Sequence, residues 1–183
     1  LLVARVNLGP AAVRAIAASG WPLEELEVNH IHLRAAGIGA LAAAPSFAIR
    51  RLDLSSLQLD AAALLALARA PWPLEELDLS FNDLSSAEDG CALTALTRHA
   101  GLRRLNVSAC YLSEASFKAL VEAAWPALNS LGMASAKVAF DGPHALGAAA
   151  FAAFPALEEL DLGSVNLGEA GARALASRRW ARL

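Results

Sequence analysis

A six-residue phrase returns along this chain about every 26 residues, and no other feature limits the possible folds as tightly. It is spelled Leu74-Glu-Glu-Leu-Asp-Leu79, Leu157-Glu-Glu-Leu-Asp-Leu162 and Leu23-Glu-Glu-Leu-Glu-Val28. Looser copies run Ile49-Arg-Arg-Leu-Asp-Leu54, Leu102-Arg-Arg-Leu-Asn-Val107 and Leu128-Asn-Ser-Leu-Gly-Met133, with a partial copy at Leu1. Taking the second leucine as the phase marker gives Leu1, Leu26, Leu52, Leu77, Leu105, Leu131 and Leu160. The intervals are 25, 26, 25, 28, 26 and 29 residues. A period of that length marks stacked supersecondary units, each unable to bury its apolar face alone.

Each copy has two parts with different physics. The Leu-x-Leu core alternates with period two, as a short strand buried on one face does. Five places beyond it comes another apolar residue: Leu8, Leu33, Leu59, Leu84, Leu112, Val138 or Leu167. A small polar or Gly/Pro start then opens an alanine-rich stretch with helical spacing, as in residues 113–124, where Ser113, Glu114 and Ser116 form a helix start. An aromatic-proline step closes several helices: Trp21-Pro22, Trp72-Pro73, Trp125-Pro126 and Phe154-Pro155. Proline cannot continue the helix and holds the residue before it extended, so the aromatic is expected to plug the gap between helix and sheet. The expected fold is α/β, a solenoid of about seven repeats with parallel strands on a concave face and helices on a convex one. Helices need roughly 10 Å of width against about 4.8 Å for strands, so such a stack bends into a horseshoe arc.

Composition agrees with stacking. Apolar residues make up 56% of the 183 and about a quarter are alanine, which suits repeats that bury small side chains against both neighbours. A net charge of −3 supplies no basic field for a phosphate backbone, so nucleic acid is not an expected partner. Cys91 and Cys110 are too few for a disulfide framework and lack metal-ligand spacing, which points to an intracellular compartment, cytoplasmic or nuclear. The longest alanine-leucine stretch, residues 61–70 with Arg69 near its end, is about half a bilayer span, so no membrane partner is expected.

The Leu-x-x-Leu-x-Leu pattern followed by residues 165–176, Val-Asn-Leu-Gly-Glu-Ala-Gly-Ala-Arg-Ala-Leu-Ala, resembles the leucine-rich repeats of the ribonuclease-inhibitor-like class. Gly39-Ala-Leu-Ala42 and Ala172-Arg-Ala-Leu-Ala176 are similar to the GALA repeats of bacterial F-box effectors. The aromatic-proline step and the spacing resemble the cysteine-containing repeats of F-box proteins, with Cys110 at the position those repeats fill with cysteine. The resemblance spans essentially the whole chain. It implies one leucine-rich-repeat domain over residues 1–183, cut from a longer array, that binds a protein on its concave face or edges. Where the family usually has Asn or Cys, this chain has Val6, Ile31, Leu57, Asn82, Cys110, Ala136 and Val165. Only Asn82 and Cys110 can then supply ladder hydrogen bonds, so less regular turns are expected.

Strand alternation places three outward lanes on the concave face. The first runs Glu25, Arg51, Glu76, Arg104, Ser130, Glu159; the second Glu27, Asp53, Asp78, Asn106, Gly132, Asp161; the third Asn29, Ser55, Ser80, Ser108, Ala134, Gly163. The acidic second lane reads either as a docking surface for a basic segment or as the common spelling of such a strand. Departures from that spelling are more informative. Arg103 and Arg104 with Asn106 bring positive charge into an acidic face, while Ser130, Gly132 and Ala134 leave a low neutral floor. The candidate partner-binding residues are therefore Arg104, Asn106, Ser130, Gly132, Asp78, Glu76, Asp53, Arg51 and Phe81. Phe81 and Tyr111 offer aromatic anchors at the strand exits, unless they pack on the adjacent turn. His30 and His32 form a lone His-x-His pair, His99 and His144 stand without visible partners, and Cys91 reads as a helix core position.

No phosphate-cradling loop, nucleophile elbow or activated carboxylate pair occurs, so neither catalysis nor a cofactor or metal is expected. The functional expectation is a non-catalytic scaffold that binds another protein. Substrate-recognition repeats of an F-box ubiquitin-ligase subunit, or a regulator of an enzyme or small GTPase, are the alternatives. Oligomeric state is not legible. The register expectation is sharp: Leu54, Leu79, Val107 and Leu162 face inward, and Asp53, Asp78, Asn106 and Asp161 face outward.

Overall fold

Strands of three residues have almost no interior, so each must find its hydrogen-bond partners in another copy. A computed structural model of the chain describes residues 10–28, 35–44, 47–86, 88–139, 154–165 and 168–177. The copy at Leu1, the His30 and His32 pair and His144 lie outside the described residues. In chain order the elements begin α1 (Pro10–Ala17), β1 (Glu25–Glu27), α2 (Ala35–Ala42), β2 (Arg51–Asp53) and α3 (Ala61–Ala68). Next come β3 (Glu76–Asp78), β4 (Asp83–Leu84), α4 (Asp89–Ala95), β5 (Arg104–Asn106), β6 (Tyr111–Ser113) and α5 (Glu114–Glu122). The last are β7 (Ser130–Gly132), β8 (Lys137–Ala139), β9 (Glu159–Asp161) and α6 (Gly168–Ser177).

The protein is an α/β structure built on parallel sheets. Six strands pair in the order β1-β2-β3-β5-β7-β9, and the phase leucines sit exactly in register: Leu26 opposite Leu52, then Leu77, Leu105, Leu131 and Leu160. A second sheet, β4-β6-β8, aligns Leu84, Leu112 and Val138, which the sequence reading took only as apolar positions. The pairing continues beyond the strands. The carbonyls of Glu24, Arg50, Glu75, Arg103 and Asn129 each accept two amides from the following copy, at 2.7–3.1 Å. Past the strands, the amides of Val28, Leu54, Leu79, Val107 and Met133 each donate to the next copy's last strand residue, at 2.8–3.0 Å.

The helices follow from local chemistry. Asp60 caps α3 by accepting the Ala63 amide at 2.7 Å, and Ser113 caps α5 by accepting the Ser116 amide at 3.0 Å. Between the Asp60 cap and Arg69, α3 consists of Ala and Leu, the strongest helix formers. It buries Ala63, Leu64, Leu67 and Ala68 and packs between α2 and α4. Packing between α4 and α5 is tight at Gly90, where a Cβ would lie 3.1 Å from the Ala115 carbonyl oxygen. Strand leucines and helix leucines share one buried cluster, so the helices cover one face of the long sheet and leave the other open. Among the described residues no helix is long and apolar enough to cross a membrane.

Leu54, Leu79 and Val107 are fully buried, so the register is as expected; Leu162, near the last described strand, is only partly buried. Trp72, Trp125 and Phe154 plug the gap between helix and sheet, whereas Trp21 is 48% exposed because its copy is flanked on one side only among the described residues. Cys91 is not a core position. It is exposed, since α4 turns Gly90, Ala92 and Leu93 inward instead. The turns are also more regular than expected. Ser56, Phe81, Ala109, Ser135 and Ser164 occupy the same place in their copies, and all adopt φ between 54° and 61°. Their regularity comes from backbone bonds to the next copy, Ser56 to Ser80, Phe81 to Ser108, Ala109 to Ala134 and Ser135 to Gly163, which no ladder side chain is needed to make.

Where a ladder residue exists it adds to this. Buried Asn82 accepts the Leu57 and Leu59 amides at 3.1 Å and donates to the Leu54, Leu79 and Ser80 carbonyls. Cys110 Sγ donates to the Leu79 carbonyl at 3.2 Å. Urea melts should therefore find Leu79→Ala destabilised by about 2–5 kcal/mol. Asn82→Ala, which strands several buried amides and carbonyls, should lose about 3 kcal/mol. Leu162→Ala should cost less than about 2 kcal/mol, because its side chain keeps part of its contact with water. A Leu162→Ala loss larger than that of Leu79→Ala would contradict this placement of the core.

Candidate functional site

The open face of the long sheet carries a groove of about 570 Å³. It gathers eight of the candidate residues: Arg51, Asp53, Glu76, Asp78, Arg104, Asn106, Ser130 and Gly132. Phe81 does not join them. It sits in the turn after β3, 66% exposed, with its backbone in the left-handed region. Lined up in register, the strands turn every other side chain into the groove, which explains why residues 25 and more apart in sequence meet there.

The lanes behave differently. In the first, Arg51 pairs with Glu25, and Ser130 Oγ bonds Glu159 Oε2 at 2.9 Å. Arg104 reaches Glu76 only at 3.9 Å and stays 63% exposed, so its guanidinium remains open to a partner. The second lane has a structural task as well as a charge. Asp53, Asp78, Asn106 and Asp161 each use Oδ1 to accept the amide two residues on, at 2.8–3.0 Å, and so fold the turn that follows the strand. Asp53, Asp78 and Asn106, each flanked by strands on both sides, are half-buried rather than fully exposed; Asp161, on the last described strand of the sheet, is exposed.

Asn106 is the informative member. It keeps the turn bond to Ser108, removes the negative charge, and ties sideways to Asp78 Oδ2 at 2.8 Å. The floor beside it is not empty, contrary to the sequence reading. A Cβ on Gly132 would lie 2.8 Å from Asn106 Oδ1 and 3.3 Å from Ser108 Oγ, so the carboxamide already leans over the glycine. The groove as a whole is acidic, with seven carboxylates against two guanidiniums.

Elsewhere, Tyr111 is 52% exposed with Lys137 Nζ 4.9 Å above its ring centre and 3.2 Å from its hydroxyl, so it engages its own neighbour. His99 does have a partner: it is buried, and Nε2 lies 3.0 Å from the Leu67 carbonyl oxygen. Among the described residues no three His, Cys, Asp or Glu side chains are placed to hold a metal ion. Burial pushes the Cys110 thiol from its ordinary 9.0 up to about 11, against a smaller opposing pull from the Asn82 backbone. A thiol held protonated and buried is a poor nucleophile.

No family model matches the chain, and no curated protein matches it. Among solved structures it is similar to one of Chaetomium Mex67:Mtr2 subunits, at 20% identity and a TM-score of 0.42. The match covers 68% of this chain and 87% of that one.

The two cysteines should separate in a thiol-disulfide exchange assay. Exposed Cys91 should react while the protein is folded, and buried Cys110 only after denaturation. The unfolded Cys110 thiol ionises near 9.0 and the folded one near 11, so its contribution to stability is intact below pH 9 and is lost between pH 9 and 11. Replacing it in Cys110→Ala should flatten the stability profile over that interval; an unchanged slope would place the thiol in water.

Proposed function

We propose that this chain is an arc of stacked leucine-rich repeats, with strands on a concave face and helices on a convex one, and that it binds a protein without catalysing a reaction. Strands spaced about 4.8 Å apart backed by helices about 10 Å wide make such a stack curve toward the strands. The observation that carries the reading is the groove on the open sheet face, where eight outward candidate residues from four neighbouring strands converge. Its surplus of carboxylates favours a partner that presents a basic segment.

Choice between partners rests on the middle of that face. Arg104 is the more exposed and the less closely paired of the groove's two guanidiniums, Asn106 carries no charge, and Gly132 offers no side chain. A change of charge beside a change of size creates a local field and a local shape, which discrimination requires. The outer copies, with Glu76, Asp78, Glu159 and Asp161, supply general attraction and orientation.

Affinity measured against a protein partner isolated on the immobilised chain tests this. Arg104→Glu should weaken binding about tenfold, or roughly 1.4 kcal/mol. Gly132→Arg should do the same by displacing the Asn106 carboxamide, while Glu76→Arg and Glu159→Arg should change affinity less than about threefold. Unchanged affinity in all four variants would move the contact off this face.

A further inference from the structure

A second groove, of about 540 Å³, lies apart from the open sheet face, between the end of α3 and the turn that follows α4. Trp72, Glu75, Arg98, His99, Gly101 and Arg103 line it. Its charges are not balanced. Glu75 is held by Arg50 of the preceding copy. Arg103 follows Glu75 in the next copy, its amide on the Glu75 carbonyl at 2.8 Å, yet its guanidinium forms no ion pair among the described residues. Arg98 forms none either, and both arginines are exposed.

The wall of the groove holds an unmet donor. Trp125 and Trp72 each lie twelve residues after the residue that caps their helix, Ser113 and Asp60, and Trp125 Nε1 donates to the carbonyl five residues before it, Leu120, at 2.9 Å. The corresponding carbonyl for Trp72 is Leu67. That oxygen already takes the Ala70 amide at 2.9 Å and His99 Nε2 at 3.0 Å. Trp72 is left 4% exposed, with a buried Nε1 that has no acceptor. Few buried polar groups in proteins go unpaired, and this one belongs to a residue that lines the groove.

We propose that this groove binds an acidic peptide segment, with glutamate carboxylates on Arg98 and Arg103. A guanidinium presents a planar fork that matches a carboxylate. Pro71, Trp72 and Pro73 supply an apolar wall for the side-chain methylenes of a glutamate and for the peptide backbone, which a bare ion would leave uncovered. The site is independent of the acidic groove on the sheet face, whose charge is opposite.

The probe is an end-blocked hexaglutamate peptide, followed by the indole N–H resonances of the four tryptophans, with Trp72 assigned by its loss in Trp72→Phe. The peptide is expected to shift the Trp72 signal saturably. Arg98→Ala/Arg103→Ala should weaken that binding at least tenfold, and Arg103→Gln alone at least threefold. Lys118→Ala/Arg173→Ala, which removes the same charge from exposed helix positions, should change it less than twofold. An unmoved Trp72 signal, or equal weakening by the two double variants, overturns the proposal. So does inorganic phosphate shifting the signal where hexaglutamate does not, since the groove would then be a small-anion site.

Discussion

A three-residue strand leaves its backbone donors and acceptors unpaired on both edges, and burying them unpaired is costly. Here every described inner strand meets that demand with the copy before it and the copy after it. The same carbonyl accepts two amides at each of five junctions, and the same amide donates forward after each of five strands. Once that bonding is set, the register has no freedom: a slip by one residue would turn Leu54 and Leu79 to water and Asp53 and Asp78 into the core. The buried cluster, the open lanes and the regular turns are consequences of one repeated hydrogen-bond pattern.

The outward side chains divide into those that hold the scaffold and those left over. Asp53, Asp78 and Asp161 fold their own turns, so part of the acidic stripe is explained by backbone geometry rather than by any partner. Asn106 does the same work without the charge, which makes it a change in field at no cost in shape. Arg104, Arg103 and Arg98 have no comparable structural duty. Phe81 is similar in kind. Small residues fill the left-handed turn position in the other four copies, so a large exposed aromatic there is not what the turn itself favours.

Much of this was legible in the sequence because the period is so regular. Phase leucines named the strands, alternation named the lanes, and Ser113 named a helix start. What stayed hidden depended on contacts between copies. The second sheet is invisible in a two-residue strand such as β4, whose pairing exists only because Tyr111 and Leu112 lie beside it. Leu57, Ala136 and Val165 cannot bond like Asn82, which suggests irregular turns, yet the neighbouring Ser56 and Ser135 amides reach the next copy through backbone alone. The placement of Cys91 is not legible because α4 is only seven residues long, about two turns, too short for periodicity to say which face is buried. The competition between His99 and Trp72 for the Leu67 carbonyl requires residues from two copies and could be read from neither alone.

Native-state hydrogen exchange of the amides that bridge copies tests the central claim most directly. The account predicts strong protection at Leu54, Leu79 and Val107, each donating to the following copy, with the slowest exchange at Leu79 and Val107 and faster exchange toward Val28 and Met133. Protection confined to the helices, with these five amides exchanging as freely as exposed turns, would contradict the bonding on which the rest of the structure depends.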